Sequence, residues 1–179
     1  MTCIVGIQSK DKVFIGGDSA GVAVWHLERR ADSKVFKNGS FLIGFTTSFR
    51  MGQLIRYKFE PPAIKDQQDI YEYMVVDFVD ALRECLKSGG FARVENERET
   101  GGSFLVGFKG RLFKIGDDFQ VGETLDGYDA VGSGFEYALG SLYTTRGRSM
   151  VDRIEKALET AAYYATGVCE PFVIEEIGA

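Results

Sequence analysis

The chain has 179 residues, 45% of them hydrophobic and 26% charged, with three prolines and no low-complexity tract; the length suits one core, and the balance excludes a disordered chain. Its net charge of −5, with the basic residues scattered, provides no stripe that could track a phosphate backbone, which argues against nucleic acid as the main partner. No apolar run approaches the roughly 18 residues of a membrane span, and residues 1–10 lack the basic and apolar regions of an export signal, so the expectation is a cytoplasmic protein, a single domain over 1–179, with no membrane partner.

Taken in chain order, Thr2 to Ile7 is apolar on both faces, as in a strand covered on each side. A polar turn at Ser9 to Lys12 leads to a hairpin partner, Val13 to Asp18, which ends in an acidic residue after two glycines. The stretch holding Trp25 and His26 reads as irregular, an exposed or subunit-contact loop. Ser33 to Phe36 and Phe41 to Thr46 flank Asn38-Gly39, a strong tight-turn signal. Ser48 to Tyr57 reads as a short helix, and the prolines after Glu60 separate it from the next element.

From Asp69 the residues Ile70, Tyr73, Met74, Phe78, Ala81, Leu82 and Cys85 fall near one helical stripe, interrupted by Asp77 and ended by Gly89-Gly90. Arg93 to Thr100 is too charged for a core and is expected as an exposed loop. Ser103 to Phe108 and Arg111 to Ile115 form a hairpin around Lys109-Gly110, and Tyr128 to Val131 adds a strand. Gly132-Ser133-Gly134 opens a helix with Phe135, Ala138, Leu139, Leu142 and Tyr143 at helical spacing. Ser149 caps another, striped by Ile154, Ala157, Leu158, Ala161, Ala162 and Ala165. Phe172 to Ile177 closes the chain as a strand. Without a βαβ alternation the sheets should be mainly antiparallel, and a first strand covered on both faces implies two stacked sheets between helix layers, an α+β architecture.

Acyl transfer needs a nucleophile, a base and an orienting charge, and a single histidine, His26, severely limits Ser-His-Asp or Cys-His schemes. A free α-amine, with a reference pKa of about 7.7–8.0, accepts a proton near neutrality where an ordinary lysine does not. Thr2 offers that amine beside its hydroxyl once Met1 is removed. Cys3, Cys85 and Cys169 are odd in number and far apart, unlike a disulfide framework or a metal pair, and read as reduced, buried residues. Cys3 should point to the strand face opposite Thr2. No ligand cluster supports a metal, and no cofactor is expected.

Thr2-Cys3-Ile4-Val5-Gly6, Ile15-Gly16-Gly17-Asp18-Ser19, Asp32-Ser33-Lys34-Val35, Ala130-Val131-Gly132-Ser133-Gly134 and Ile174-Glu175-Glu176-Ile177 together resemble, nearly end to end, a proteasome β-type subunit, nearest to the HslV branch of that family. The resemblance implies a four-layer αββα N-terminal nucleophile (Ntn) hydrolase fold, a mature chain beginning at residue 2, and a threonine endopeptidase assembled into a homo-oligomeric ring. Peptide or unfolded protein would be the substrate, with an ATP-dependent unfoldase as a candidate partner. It makes Thr2 the nucleophile, Lys34 the cation that favours a neutral amine, Asp18 the group that orients Lys34, Ser133 a hydrogen-bond partner near the Thr2 amine, and the Thr47 N–H the oxyanion donor.

Two departures accompany it. Thr47 stands where the family commonly has glycine, which keeps the N–H but narrows the adjacent pocket. Near the last helix the family often has an Asp three residues before Ser-Gly, whereas this chain has Tyr163, with Thr166 and Gly167 following. They leave open a non-catalytic ring subunit, or an Ntn acyl transferase or ligase, as alternatives.

Overall fold

β1 (Cys3–Ser9) is apolar on both faces because both are covered. In a computed structural model of the chain, its Cys3, Val5 and Ile7 pack beneath helices α4 (Phe135–Thr144) and α5 (Met150–Tyr164), against Ala138, Leu142, Ile154 and Leu158. Ile4 turns to the other face and meets Ile15, Leu42 and Leu105, as the two-residue side-chain period of a strand requires. The structure describes every residue except Ala92, Asn96 and Glu97, and only the backbone of 93–95 and 98–99.

β1 pairs antiparallel with β2 (Lys12–Gly17) on one side and β12 (Tyr128–Gly132) on the other, and β13 (Val173–Gly178) adds to β2. This four-stranded sheet, in the order β12-β1-β2-β13, stacks on a five-stranded one, β11-β10-β9-β6-β5. The second sheet comprises β5 (Val35–Asn38), β6 (Phe41–Phe45), β9 (Phe104–Phe108), β10 (Arg111–Ile115) and β11 (Val121–Gly122). Its pairings are all antiparallel. The sheets approach closely at Gly44, where a Cβ would lie 2.5 Å from Ile4 Cγ2, so glycine is required there by space.

The outer face of the second sheet is covered by α1 (Phe49–Tyr57), α2 (Ile70–Tyr73) and α3 (Val79–Ser88). Phe41, Ile43, Phe45, Phe104 and Val106 pack there against Met51, Tyr73, Phe78 and Leu82. The layers therefore run helix, sheet, sheet, helix, which is the sandwich expected from the sequence.

The differences from expectation are local. The Trp25–His26 region is a hairpin, β3 (Ala20–Ala23) and β4 (His26–Arg29). All four β4 residues are exposed, so no burial alternation marks it; its turn uses Val24 at φ 53°, which is uncommon for a β-branched residue. Trp25 at the tip is 98% exposed. In the long helical stripe, Met74–Phe78 forms a π-turn between α2 and α3, and Val75 and Val76 are exposed. The stretch read as a loop at Arg93 to Thr100 carries β7 (Arg93–Glu95) and β8 (Arg98–Thr100); a short hairpin needs backbone pairing, which charged side chains do not forbid. The expected exposure of that stretch lies outside the described residues, as do Asn96 and Glu97. In α4, Ala138 and Leu142 are buried but Phe135 and Tyr143 are exposed, because only one narrow line of the helix meets β1 and β12. Cys3 and Cys85 are buried, whereas Cys169 is half-buried. Among the described residues no helix is long and apolar enough to cross a membrane.

Candidate active site

Three strand ends converge on Thr2. The residue precedes β1, Asp18 follows β2, and Lys34 precedes β5. All three are buried, and Lys34 is only 2% exposed. Lys34 Nζ donates to Thr2 Oγ1 and to Asp18 Oδ1, each at 2.9 Å. Asp18 Oδ1 also accepts from the Cys3 N–H at 2.9 Å, and Oδ2 from the Ala20 N–H at 2.8 Å. A carboxylate held by two backbone donors and one ammonium is a fixed anchor for the lysine. Burial lowers the pKa of the Lys34 ammonium, against the opposing pull of the Asp18 carboxylate; desolvation thus leaves a cation that gives up its proton more easily than an exposed lysine.

The Gly132-Ser133-Gly134 loop covers the other side of Thr2. The Thr2 N–H donates to Ser133 Oγ at 3.1 Å, Ser133 Oγ donates back to the Thr2 carbonyl at 3.3 Å, and the Gly134 N–H donates to the same carbonyl at 3.3 Å. Gly132 has φ 98°, and a Cβ there would sit 2.3 Å from the Thr2 oxygen, so both backbone conformation and proximity require glycine. Thr2 Oγ1 also contacts the carbonyl oxygen of Met1 in a short hydrogen bond.

Thr47 has φ 70°, the conformation for which a glycine is the usual choice. Its hydroxyl lies 3.1 Å from that of Thr46, which donates to the Ser103 carbonyl. Among the described residues the Thr47 N–H finds no acceptor, and Thr47 lines the same cleft of about 60 Å³ as Thr2 and Lys34. A backbone donor without an acceptor beside a hydroxyl held by an ammonium can bind an oxyanion.

Of the five residues singled out by sequence, Thr2, Lys34 and Thr47 line one cleft, while Asp18 and Ser133 stand behind it, hydrogen-bonded to Lys34 and to Thr2. Tyr163 is not among them: it is 82% exposed and packs edge-on against Tyr164. Sequence reasoning missed Ala20, Val22 and Phe49, which line the cleft. Nothing in their local pattern distinguishes a cleft residue from a packing residue. Cys3 sits in the core beneath α5, and burial pushes its thiol up to about 12, so it is not a ready thiolate. Among the described residues no group of three or more His, Cys, Asp or Glu could hold a metal. A larger cavity of about 680 Å³ lies at the opposite end of β6, lined by Phe41, Tyr73 and the C-terminal Ile177, Gly178 and Ala179, and contains none of these groups.

No family model and no curated protein matches the sequence. Solved structures do match in shape. BPH of Thiobacillus denitrificans superposes with a TM-score of 0.84 at 16% identity, covering 99% of this chain and 98% of that one. A complex of that protein with epoxomicin gives 0.83 at 17% identity, with the same coverage. Eukaryotic HslV from Trypanosoma brucei gives 0.71 at 19% identity over 99% of this chain and all of the other. Anbu, the ancestral beta-subunit from Yersinia bercovieri, gives 0.67 at 15% over 99% and 82%. Such likeness over nearly the whole chain means that this chain has the proteasome-like Ntn fold of these structures.

Proposed function

We propose that the chain is a threonine peptidase whose nucleophile is Thr2, with the α-amine exposed by loss of Met1 as its base. The observation that carries this reading is the Lys34 ammonium bridging Thr2 Oγ1 and Asp18 Oδ1 at 2.9 Å each, in a chain with a single histidine.

The amine takes the hydroxyl proton as Oγ1 attacks the scissile carbonyl. The carbonyl oxygen gains negative charge, which the Thr47 N–H stabilises by hydrogen bonding while Lys34 stabilises the nucleophile oxygen. The C–N bond then breaks, the protonated amine gives its proton to the leaving amine, and an ester of Thr2 remains. Water, deprotonated by the same amine, attacks that ester and frees the Thr2 hydroxyl and the product acid. Ser133 Oγ, 3.1 Å from Thr2 N, orients the amine. Two features support a runner-up, a non-catalytic ring subunit: Tyr163 is turned to solvent, and no carboxylate hydrogen-bonds Thr2 N among the described residues.

The HslV resemblance extends the proposal to a homo-oligomeric ring acting on peptide or unfolded protein in the cytoplasm, fed by an ATP-dependent unfoldase. Incubating the Met1-free protein with a peptide panel and with a peptide epoxyketone tests the enzymatic core. Cleavage together with one mass adduct on Thr2 is expected. A processed oligomer that neither cleaves nor becomes labelled overturns the peptidase reading in favour of the ring subunit. Product masses showing ligation in place of hydrolysis identify an acyl transferase.

A further inference from the structure

β2 and β13 pair antiparallel as far as Gly17 opposite Val173. Continued by two residues, the same register sets Ser19 opposite Pro171, and proline has no N–H with which to extend the ladder. A side chain takes over at that point. Ser19 Oγ donates to the Pro171 carbonyl, while the Ser19 N–H turns to the Cys169 carbonyl at 3.0 Å. The Ser19 carbonyl in turn accepts the Arg30 N–H at 2.8 Å. Ser19 is only 5% exposed, and its hydroxyl and both its backbone groups are hydrogen-bonded, as burial requires.

The Asp18 carboxylate is built around this residue. Asp18 Oδ2 reaches across Ser19 to the Ala20 N–H at 2.8 Å, which closes an Asx turn with Ser19 inside it. On its other edge Asp18 is held by β1: its N–H donates to the Cys3 carbonyl at 3.3 Å, and Oδ1 accepts the Cys3 N–H at 2.9 Å. The direction of the carboxylate toward Lys34 Nζ, 2.9 Å away, therefore has two supports. One is β1; the other is the Ser19–Ala20 peptide, which the Ser19 hydroxyl and N–H tie to residues 169–171.

We infer that Ser19 is a positioning residue for the reaction: by holding the Pro171 carbonyl, its hydroxyl sets the direction of Asp18 and so keeps the Lys34 ammonium on Thr2 Oγ1. This rests on the peptidase reading above. Ser19 lies outside the cleft that its neighbour Ala20 lines. A hydroxyl acting through Asp18 changes the rate of attack and leaves substrate binding alone, whereas one acting through the Ala20 wall changes binding. Pro171 is exposed, so water can take its carbonyl when the hydroxyl is removed, and Ser19→Ala should fold.

Steady-state cleavage of one peptide by the Met1-free Ser19→Ala protein tests the inference. Its kcat should fall about 10- to 100-fold, the cost of a misplaced reacting group, with KM within about twofold of the wild type. A double-mutant cycle with Asp18→Asn separates positioning of the carboxylate from general loosening. Its readout is the rate of labelling by a peptide epoxyketone, followed by intact mass over hours so that a slow site is still measured. Ser19→Ala should slow labelling at least tenfold in the wild-type background and by less than about twofold in the Asp18→Asn background. If thermal melting shows Ser19→Ala unfolded, Ser19→Cys replaces it, since a thiol is a weak donor. An unchanged kcat, a rise in KM in place of a fall in kcat, or equal slowing in both backgrounds overturns the role of Ser19 while leaving the peptidase intact. A wild type that neither cleaves nor becomes labelled overturns the peptidase reading, and this inference with it.

Discussion

Lys34→Met removes the ammonium while keeping most of the apolar stem. Asp18 then stays buried, its side chain fully covered, with only the Cys3 and Ala20 N–H groups as donors. Breaking one side of a buried ion pair costs about 3–5 kcal/mol because the remaining charge is uncompensated. Two surviving backbone donors put the cost at the lower end, about 3 kcal/mol. For a chain of this size each kcal/mol lowers the melting temperature by about 2–4 °C, so a drop of about 6–12 °C is expected in thermal scans at one fixed protein concentration. Asp18→Asn/Lys34→Met should melt above Lys34→Met alone, since the double variant buries no unpaired charge. A Lys34→Met protein melting within about 2 °C of the wild type would refute the claim that a charged pair is anchored between β2 and β5.

Asp18→Asn alone should lower peptide turnover at least tenfold while leaving the assembly size unchanged, because it removes the charge that positions Lys34; parallel turnover assays and light scattering check this. The depressed Lys34 ammonium sets an alkaline limit: turnover should fall at a pH below the ordinary lysine value of 10.5, as the cation beside Thr2 Oγ1 is lost, and a limb at or above that value contradicts the desolvated site. The same shift has a stability sign. The folded pKa lies below the unfolded one, so the unfolded chain binds more protons between the two values, and the penalty of burying this cation, fully present below the folded value, is relieved as pH rises through that window. Light scattering should show a symmetric homo-oligomer, and a monomer at every concentration removes the ring.

The layered fold was legible because burial left its period in the sequence. Ile4 against Cys3 and Val5, and Leu158 against Ile154 and Ala161, follow the strand and helix repeats that their covered faces require. Where no face is buried, as in β4, or where a helix widens into a π-turn at Met74–Phe78, no such period exists. The candidate site was legible through the family resemblance: it marks Asp18 and Lys34, at the ends of strands in two different sheets, and the stacking of those sheets places Lys34 Nζ 2.9 Å from both Asp18 Oδ1 and Thr2 Oγ1. Phe49 was not legible as a cleft residue, because its place beside Thr2 and its contact with the Arg30 guanidinium arise only in three dimensions. The resemblance makes the Thr47 N–H a donor, yet its left-handed φ cannot be read from a threonine, which rarely adopts it.

The central claim is that the base is the α-amine of Thr2, which is an amide nitrogen whenever a residue precedes it. The most direct measurement compares peptide cleavage by two oligomers whose N-termini are verified by intact mass, one beginning at Thr2 and one carrying an uncleavable residue before it, with Thr2→Ala as control. The account predicts that the first cleaves, that the blocked form and Thr2→Ala both assemble but lose activity by several powers of ten, and that processed Thr2→Ser keeps measurable activity. Full cleavage by the blocked oligomer would contradict it and place the nucleophile elsewhere.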